Sequence, residues 1–490
     1  MTTIANARLG DTVVNIVVQG GIITSVTPLG ASPVAVDSAD MIDVDGRWVL
    51  PGLWDHHVHF SQQALAMRRI DVSAATSAAE AAHIMSAQAT RIRLQSGQPL
   101  MGHGFRDALW PDTPTAEMLD AALPGVPAVL ISGDLHCVWL NTAALALFGH
   151  AGHPTGVLRE DPCFEVVARL QNIPDAVLDE WVADAASDAS TRGVVGAVDM
   201  EMGPNIEAWQ RRVGSGFSAI RIHAGIYTSH LDQAISAGLR TGKPLSGSAL
   251  VSVGPFKILT DGSLNTRTAY CVEEYHDTHE HGLLTVSTED LVPLMAKASA
   301  AGIEPAVHAI GDEANRLALD AFERVGCRGR IEHAQLLRLE DIPRFAALGV
   351  AASVQPEHAM DDRDIAELFW AGRTGRAFVL RSLLDSGAEL LLGSDAPVSP
   401  LDPWVTISAA VSRSRDGREP WHPEQSITVA AALAASTRST VAVGQPADLI
   451  AVDCDPFTAS GDDLRTMPVA LTLVAGVVTH SLLQPSPAPH

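Results

Sequence analysis

The segment Pro51-Gly52-Leu53-Trp54-Asp55-His56-His57-Val58-His59 closes an apolar stretch with two histidines two positions apart. On an extended strand such positions project to the same side, so His57 and His59 present two imidazoles together, as capture of a metal ion requires. A pair alone also fits a polar turn, because zinc needs a third and a fourth ligand. Further candidates follow. His308 closes the apolar run from Glu304 to Val307, His333 closes Arg330-Ile331-Glu332, and Asp395 follows Leu390-Leu391-Leu392-Gly393-Ser394. Four histidines and an aspartate at strand ends supply the nitrogen and oxygen donors that zinc or another borderline divalent metal takes. Lys257 lies among apolar neighbours in Phe256-Lys257-Ile258-Leu259. Buried there, an ammonium ion needs a partner or a chemical change. It either pairs with Asp261 or Asp395, or takes up carbon dioxide to become a carbamate anion able to bridge two cations.

These residues need elements to bring them together. Eight apolar strand candidates recur along the chain, at Val49 to Val58, Val195 to Met200, Ala219 to Gly225, Val251 to Leu259, Glu304 to Ile310, Gly329 to Ala334, Gly349 to Gln355 and Glu389 to Gly393. Helical periodicity follows most of them, at Thr288 to Ala301, Asp312 to Val325, Glu340 to Leu348 and Gly375 to Ser386. Eight strand-then-helix units predict an α/β fold, a (β/α)8 TIM barrel, whose chemistry belongs at the C-terminal ends of its strands. About 135 residues separate the first strand from the second, far beyond an ordinary βα loop. An insertion is expected there, with a helix over Ala78 to Leu94, an apolar run Val126 to Ser132, and the role of a lid or pocket wall. Alternating apolar runs and turns at both chain ends predict β-structure. The expected division is a composite β-sandwich from 1–50 plus 438–490 and a barrel over 51–437, with 61–190 as the insertion and first crossover.

Composition narrows the classes of function. With 33 Lys plus Arg against 57 Asp plus Glu, the formal charge of -24 opposes general binding to nucleic acid or an anionic membrane surface. No apolar run approaches the ~18 residues of a membrane span and no signal-peptide pattern opens the chain, so a cytoplasmic protein is expected. Five scattered cysteines, Cys137, Cys163, Cys271, Cys327 and Cys454, form no CxxC pair and are expected to be reduced and buried.

The chain resembles the amidohydrolase superfamily, in particular its YtcJ-like branch of metal-dependent hydrolases (amidohydrolase family 3). The matching residues are Pro51-Gly52 through His57-Val58-His59, Phe256-Lys257-Ile258 with Asp261-Gly262-Ser263, His308-Ala309-Ile310-Gly311-Asp312, Glu332-His333-Ala334-Gln335, Ser353-Val354-Gln355-Pro356, Gly393-Ser394-Asp395-Ala396-Pro397 and Ala447-Asp448-Leu449. The resemblance covers nearly the whole chain, departing in the short turn Val443-Gly444-Gln445-Pro446. It implies the β-sandwich packed beside a distorted barrel, and one or two divalent metal ions, zinc foremost, held by His57, His59, His308, His333 and Asp395. It also implies Lys257 as an N6-carboxylated bridge, and a homodimer is among its expectations.

A metal ion can bring bound water to a pKa of about 7 and polarise a carbonyl, and Asp395 would then move the proton to a departing amine. The expected reaction is hydrolysis of a non-peptide carbon-nitrogen bond in a small organic substrate. The same centre could hydrolyse an ester, lactone or carbamate, or catalyse an isomerisation, and an inactive scaffold on this fold is the alternative outside enzymes. Three residues are candidate substrate contacts. His136 and Trp139, in Asp134-Leu135-His136-Cys137-Val138-Trp139, either face the pocket or respectively cap a helix and pack the insertion. Arg267 either clamps a substrate oxygen or pairs with an acid. His223 ends the third strand and could line the pocket, while His276, His279 and His281 read as a solvated loop in preference to a second metal site.

Overall fold

The computed structural model describes residues 1–29, 41–89, 98–170, 173–245, 247–276 and 278–483. Eight strands, Leu53–Val58, Val194–Asp199, Arg221–Tyr227, Val251–Leu259, Pro305–Ala309, Gly329–His333, Val350–Val354 and Leu390–Leu392, pair in parallel in chain order. Burial on both faces explains why several are near-continuous apolar runs. Their outward side chains share one core with the surrounding helices, in which Val307 and Ala309 join Leu319 and Phe322. The helix Asp312–Val325 buries Ala314, Ala318, Leu319, Ala321 and Phe322 along one stripe and stops at Gly326, whose φ of 67° is in the left-handed region.

The barrel expected from the sequence is present, with two local differences. The run Val49 to Val58 divides at Gly52 into Trp48–Pro51, which joins the terminal sheet, and Leu53–Val58, which joins the barrel. A Cβ on Gly52 would lie 2.2 Å from Val195 Cγ1, so the close approach of the second barrel strand requires glycine there. The stretch Gly375 to Ser386 is a 3-10 turn, Thr374–Arg376, followed by a helix, Leu380–Asp385.

The eighth strand is too short to form a ladder with the first. Backbone beyond it closes the seam: Asp395 N donates to His57 O at 2.7 Å, and His59 N donates to Ala396 O at 2.8 Å. The Asp55 carboxylate accepts from Ser394 N at 3.0 Å in the same gap. Burial raises Asp55 to about 7 despite these hydrogen bonds.

Both ends of the chain build one eight-stranded sheet. Leu449–Val452, Val469–Val474 and Val477–Ser481 continue from Trp48–Pro51, and Thr2–Leu9, Thr12–Gln19, Ile22–Pro28 and Met41–Asp43 complete it. The sheet curls on itself, since Ile23 N donates to Gln445 O at 2.9 Å and Ala447 N to Gly21 O at 2.8 Å. Ile4, Ile16, Ile23, Leu449 and Leu471 fill the common core. The insertion has a sheet of its own, ordered Val157–Arg159, Cys137–Leu140, Ala128–Ser132, Leu100–Phe105, Ile70–Asp71. The expected helix from Ala78 is described to Ala89; its continuation toward Leu94, like the Pro-rich tail from Gln484, lies outside the described residues. None of the described helices is long and apolar enough to cross a membrane. The cysteines are free, but Cys327 is half-buried and Cys454 exposed, correcting the expectation that all five are buried.

Candidate metal centre

His57 Nδ1–H donates to Glu332 Oε2 at 2.7 Å, both side chains being fully enclosed. This fixes the ring so that the Nε2 lone pair faces the centre, 3.0 Å from Lys257 Nζ and 3.4 Å from Asp395 Oδ1. Burial, with Lys257 close by, lowers His57 to about 4 against the pull of Glu332, so the imidazole is neutral and able to donate electrons to a cation. Burial would raise Glu332, but Arg330 and His57 outweigh it and hold the carboxyl at about 2. Lys257 is lowered to about 8 by burial, with Glu332 and Asp395 opposing.

Asp395 stands at the middle of the cluster. His59 Nε2 is 3.4 Å from its Oδ1, and His358 Nε2 is 3.8 Å from its Oδ2. Burial works against the charge of Asp395, yet the imidazoles of His57, His59 and His333 around it keep the carboxyl well below the usual carboxylate range. His333 Nδ1–H donates to Gln355 Oε1 at 2.8 Å, leaving its Nε2 lone pair available. His333 and Asp395 both have left-handed backbone, with φ of 73° and 59°. Such strain in non-glycine residues costs of order 1–3 kcal/mol each and persists only where the surroundings impose it. Here Asp395 N is bound to His57 O, and Ala334 N to Ala309 O at 3.0 Å.

Two groups of ligand atoms result, each within 4.8 Å: His57, His59 and Asp395, and His333, His358 and Asp395. Asp395 belongs to both. His59 Nδ1, His358 Nε2 and Asp395 Oδ1 are buried without hydrogen-bond partners. Unpaired polar atoms in a buried cluster are costly, and a divalent cation satisfies this donor set of imidazoles and a carboxylate, so the residues fit a metal ion.

The other expected ligands are close by. Lys257 reaches the centre through His57. His308 lies beside His333, ring centroids 4.6 Å apart, but its Nε2 is turned to Asp261 Oδ1 at 3.3 Å and belongs to neither group. Asp261 is held by the backbone N–H groups of Ile310, Gly311 and Tyr270 and fixes the ring of His308; among the described residues no ion pair joins it to Lys257.

A cavity of about 80 Å³ opens over the cluster, lined on one side by His59, Lys257, His308, His333 and Asp395 and on the other by the insertion. His136 lines it, with Nδ1 on Glu160 Oε2 at 2.9 Å; burial lowers the imidazole pKa, but Glu160 outweighs burial and raises it. Asp134 joins the insertion to the barrel by accepting from Ser263 Oγ at 2.7 Å. Trp139 is not a substrate contact. It is fully buried in the insertion core beside Phe105, and its indole N–H donates to Thr115 O at 2.9 Å. Arg267 is likewise not on the cavity: it is exposed, with its guanidinium 5.4 Å from the Phe369 ring. His223 faces the opposite end of the barrel, where it lines a separate cavity. His279 is exposed beside Glu274, at 3.2 Å, as a solvated loop would have it.

Several site residues escaped the sequence. His358 lies in the first turn of the helix Pro356–Phe369, away from any strand end. Glu332 and Gln355 orient His57 and His333, and their signal was adjacency to recognised motifs. Tyr227 lines the cavity with a buried hydroxyl that has no partner, and burial keeps that phenol protonated. Arg106 from the insertion and Asp362 from the helix Pro356–Phe369 stand 3.8 Å apart at the cavity, and burial raises Asp362 to about 7 against the attraction of Arg106.

Residues 40–480 match the model of a family described as "Amidohydrolase family". The putative amidohydrolase YtcJ of Bacillus subtilis (strain 168) is 27% identical over 484 residues, covering 90% of this chain and 90% of that protein. An N-substituted formamide deformylase of Arthrobacter pascens is 26% identical over 520 residues, covering 95% and 94%. Among solved structures, an uncharacterized metal-dependent hydrolase from Pyrococcus horikoshii superposes with a TM-score of 0.78 at 24% identity, over 94% of this chain and 99% of its own.

Proposed function

The chain belongs to the amidohydrolase family, and from that premise we propose that it is a metal-dependent hydrolase cleaving a non-peptide carbon-nitrogen bond in a small organic substrate. The observation that carries the reading is the position of Asp395, a strained, ionised carboxylate shared by two groups of imidazoles on the floor of a cavity. His57, His59, His333 and Asp395 would hold the metal ion, with His308, His358 and Lys257 within the same cluster. When bound, a divalent metal supplies Lewis acidity and lowers the pKa of water to about 7.

The chain's own residues do the rest. Asp395, ionised in this cluster, takes a proton from water and returns it to the departing nitrogen. Glu332 and Gln355 hold His57 and His333 in one tautomer. His136 and the Tyr227 hydroxyl offer N–H and O–H donors toward a substrate oxygen from two sides of the cavity. The small cavity suits a short acyl group at the reacting centre, and a relative named for N-substituted formamides is in keeping with that. We also propose that Lys257 is carboxylated: its Nζ faces the lone pair of His57 inside the cluster, where a carbamate oxygen would bring a second anionic ligand between the two groups of imidazoles.

Metal analysis and one substitution test this reading. Elemental analysis of protein purified without added metal should find one or two equivalents of a divalent ion, two being the outcome a carbamate bridge requires. Asp395→Asn should retain part of the metal and lose hydrolysis of N-substituted amides; turnover at the parent rate would remove Asp395 from this role. Parallel assays with matched esters and lactones separate amide hydrolysis from the other reactions this centre could support.

A further inference from the structure

A second cavity, of about 690 Å³, opens at the other end of the barrel, where the strands begin. Arg330, on the sixth strand, lines it and is 7% exposed, and its Nη2 is buried without a hydrogen-bond partner. Arg438 stands above it at the surface, its guanidinium 4.4 Å from the Trp54 ring. The same guanidinium donates to His223 Nδ1 at 2.9 Å and to His56 Nδ1 at 3.3 Å. Because His56 accepts at Nδ1, it carries its proton on Nε2, which is buried with no partner, whereas the Arg438 guanidinium also approaches His223 Nε2, at 3.5 Å.

Arg330 and Arg438 thus line one cavity with two imidazoles, and Arg330 Nη2 and His56 Nε2 are left as donors without acceptors. Glu304 and Glu389 also line it, both exposed, and among the described ion pairs neither is joined to Arg330 or Arg438. Burial first, and then the positive charges of Arg438, Arg330 and Arg221, push His223 down to about 3. Guanidinium groups and N–H donors with no acceptor are what a small oxyanion satisfies by charge-assisted hydrogen bonds.

We propose that this cavity is a binding site for a small oxyanion, a phosphate or carboxylate, held by Arg330, Arg438 and His223 at the end of the barrel remote from Asp395. The site is independent of the catalytic reading. It also touches the metal centre through the interior, because Arg330 Nε is 2.7 Å from Glu332 Oε1 and Glu332 holds His57. An anion in the cavity beside Arg330 would weaken its grip on Glu332 and so alter the carboxylate that orients a ligand.

Calorimetric titration of the metal-loaded protein with inorganic phosphate, against sodium chloride of equal ionic strength, tests the proposal; malonate in parallel separates phosphate from carboxylate. One anion should bind, about tenfold more weakly to Arg438→Gln and to His223→Gln, and undiminished to Asp395→Asn. Melting temperature identifies any variant that fails to fold, and the other variant then carries the comparison. The proposal is overturned if neither anion binds, if both folded cavity variants bind like the parent, or if binding disappears only in Asp395→Asn, which would put the anion on the metal.

Discussion

Glu332 is the residue on which the centre turns without being a ligand itself. Fully enclosed between Arg330 and His57, it holds the imidazole in the tautomer that faces inward. Glu332→Gln keeps the volume but removes the charge, so the affinity for metal should fall about 10 to 100-fold, measured by competition with a chelator. Unchanged affinity would leave His57 oriented by packing alone. Residues of this kind are poorly legible in a sequence. His57, His59, His308, His333 and Asp395 could be read because each is a metal-ligating residue type at the close of an apolar run; Glu332 lies inside such a run and Gln355 closes one as a neutral amide, and only contacts across the barrel give them a role. His358 is hidden for another reason, since a turn of helix returns it to the centre after the seventh strand has ended.

At the scale of elements, periodicity and strand ends located the barrel well because each strand must be apolar on both faces. The insertion was legible as a length but not as an architecture. Its five strands alternate with short helices around their own core, and the Trp139 ring that serves that core has the same local sequence signal as a ring facing a pocket. Trp139→Ala should therefore destabilise the insertion by about 3 to 5 kcal/mol. Because Asp134 and His136 reach the cavity from the same segment, KM should rise while the metal content per chain stays unchanged, as calorimetry, kinetics and elemental analysis can check. Loss of metal together with stability would mean that the insertion and the barrel fold as one unit. Gly52 is a further case: a single apolar run reads as one strand, yet close packing against Val195 splits it between two sheets.

For the whole molecule, buried carboxylates couple stability to pH. Asp362 rises from 3.8 to about 7 on burial, so between those values the folded chain binds a proton that the unfolded chain has lost. Its contribution is fully present below 3.8 and is lost as pH rises through about 7, at most about 4 kcal/mol. Asp362→Asn, neutral at every pH, should match the parent in melting temperature near pH 4 and exceed it at pH 8; an unchanged difference across that range would show that Arg106 keeps Asp362 ionised throughout. The seam of the barrel has a mechanical consequence of its own. The staves fall short of a full cylinder, and the final join is made by the backbones of His57, His59, Asp395 and Ala396, three of which also bear candidate ligands. A cation drawing those side chains together would therefore serve as a hoop. Stripping it with a chelator should speed deuterium uptake at the amides of His59 and Asp395 well before the rest of the barrel responds.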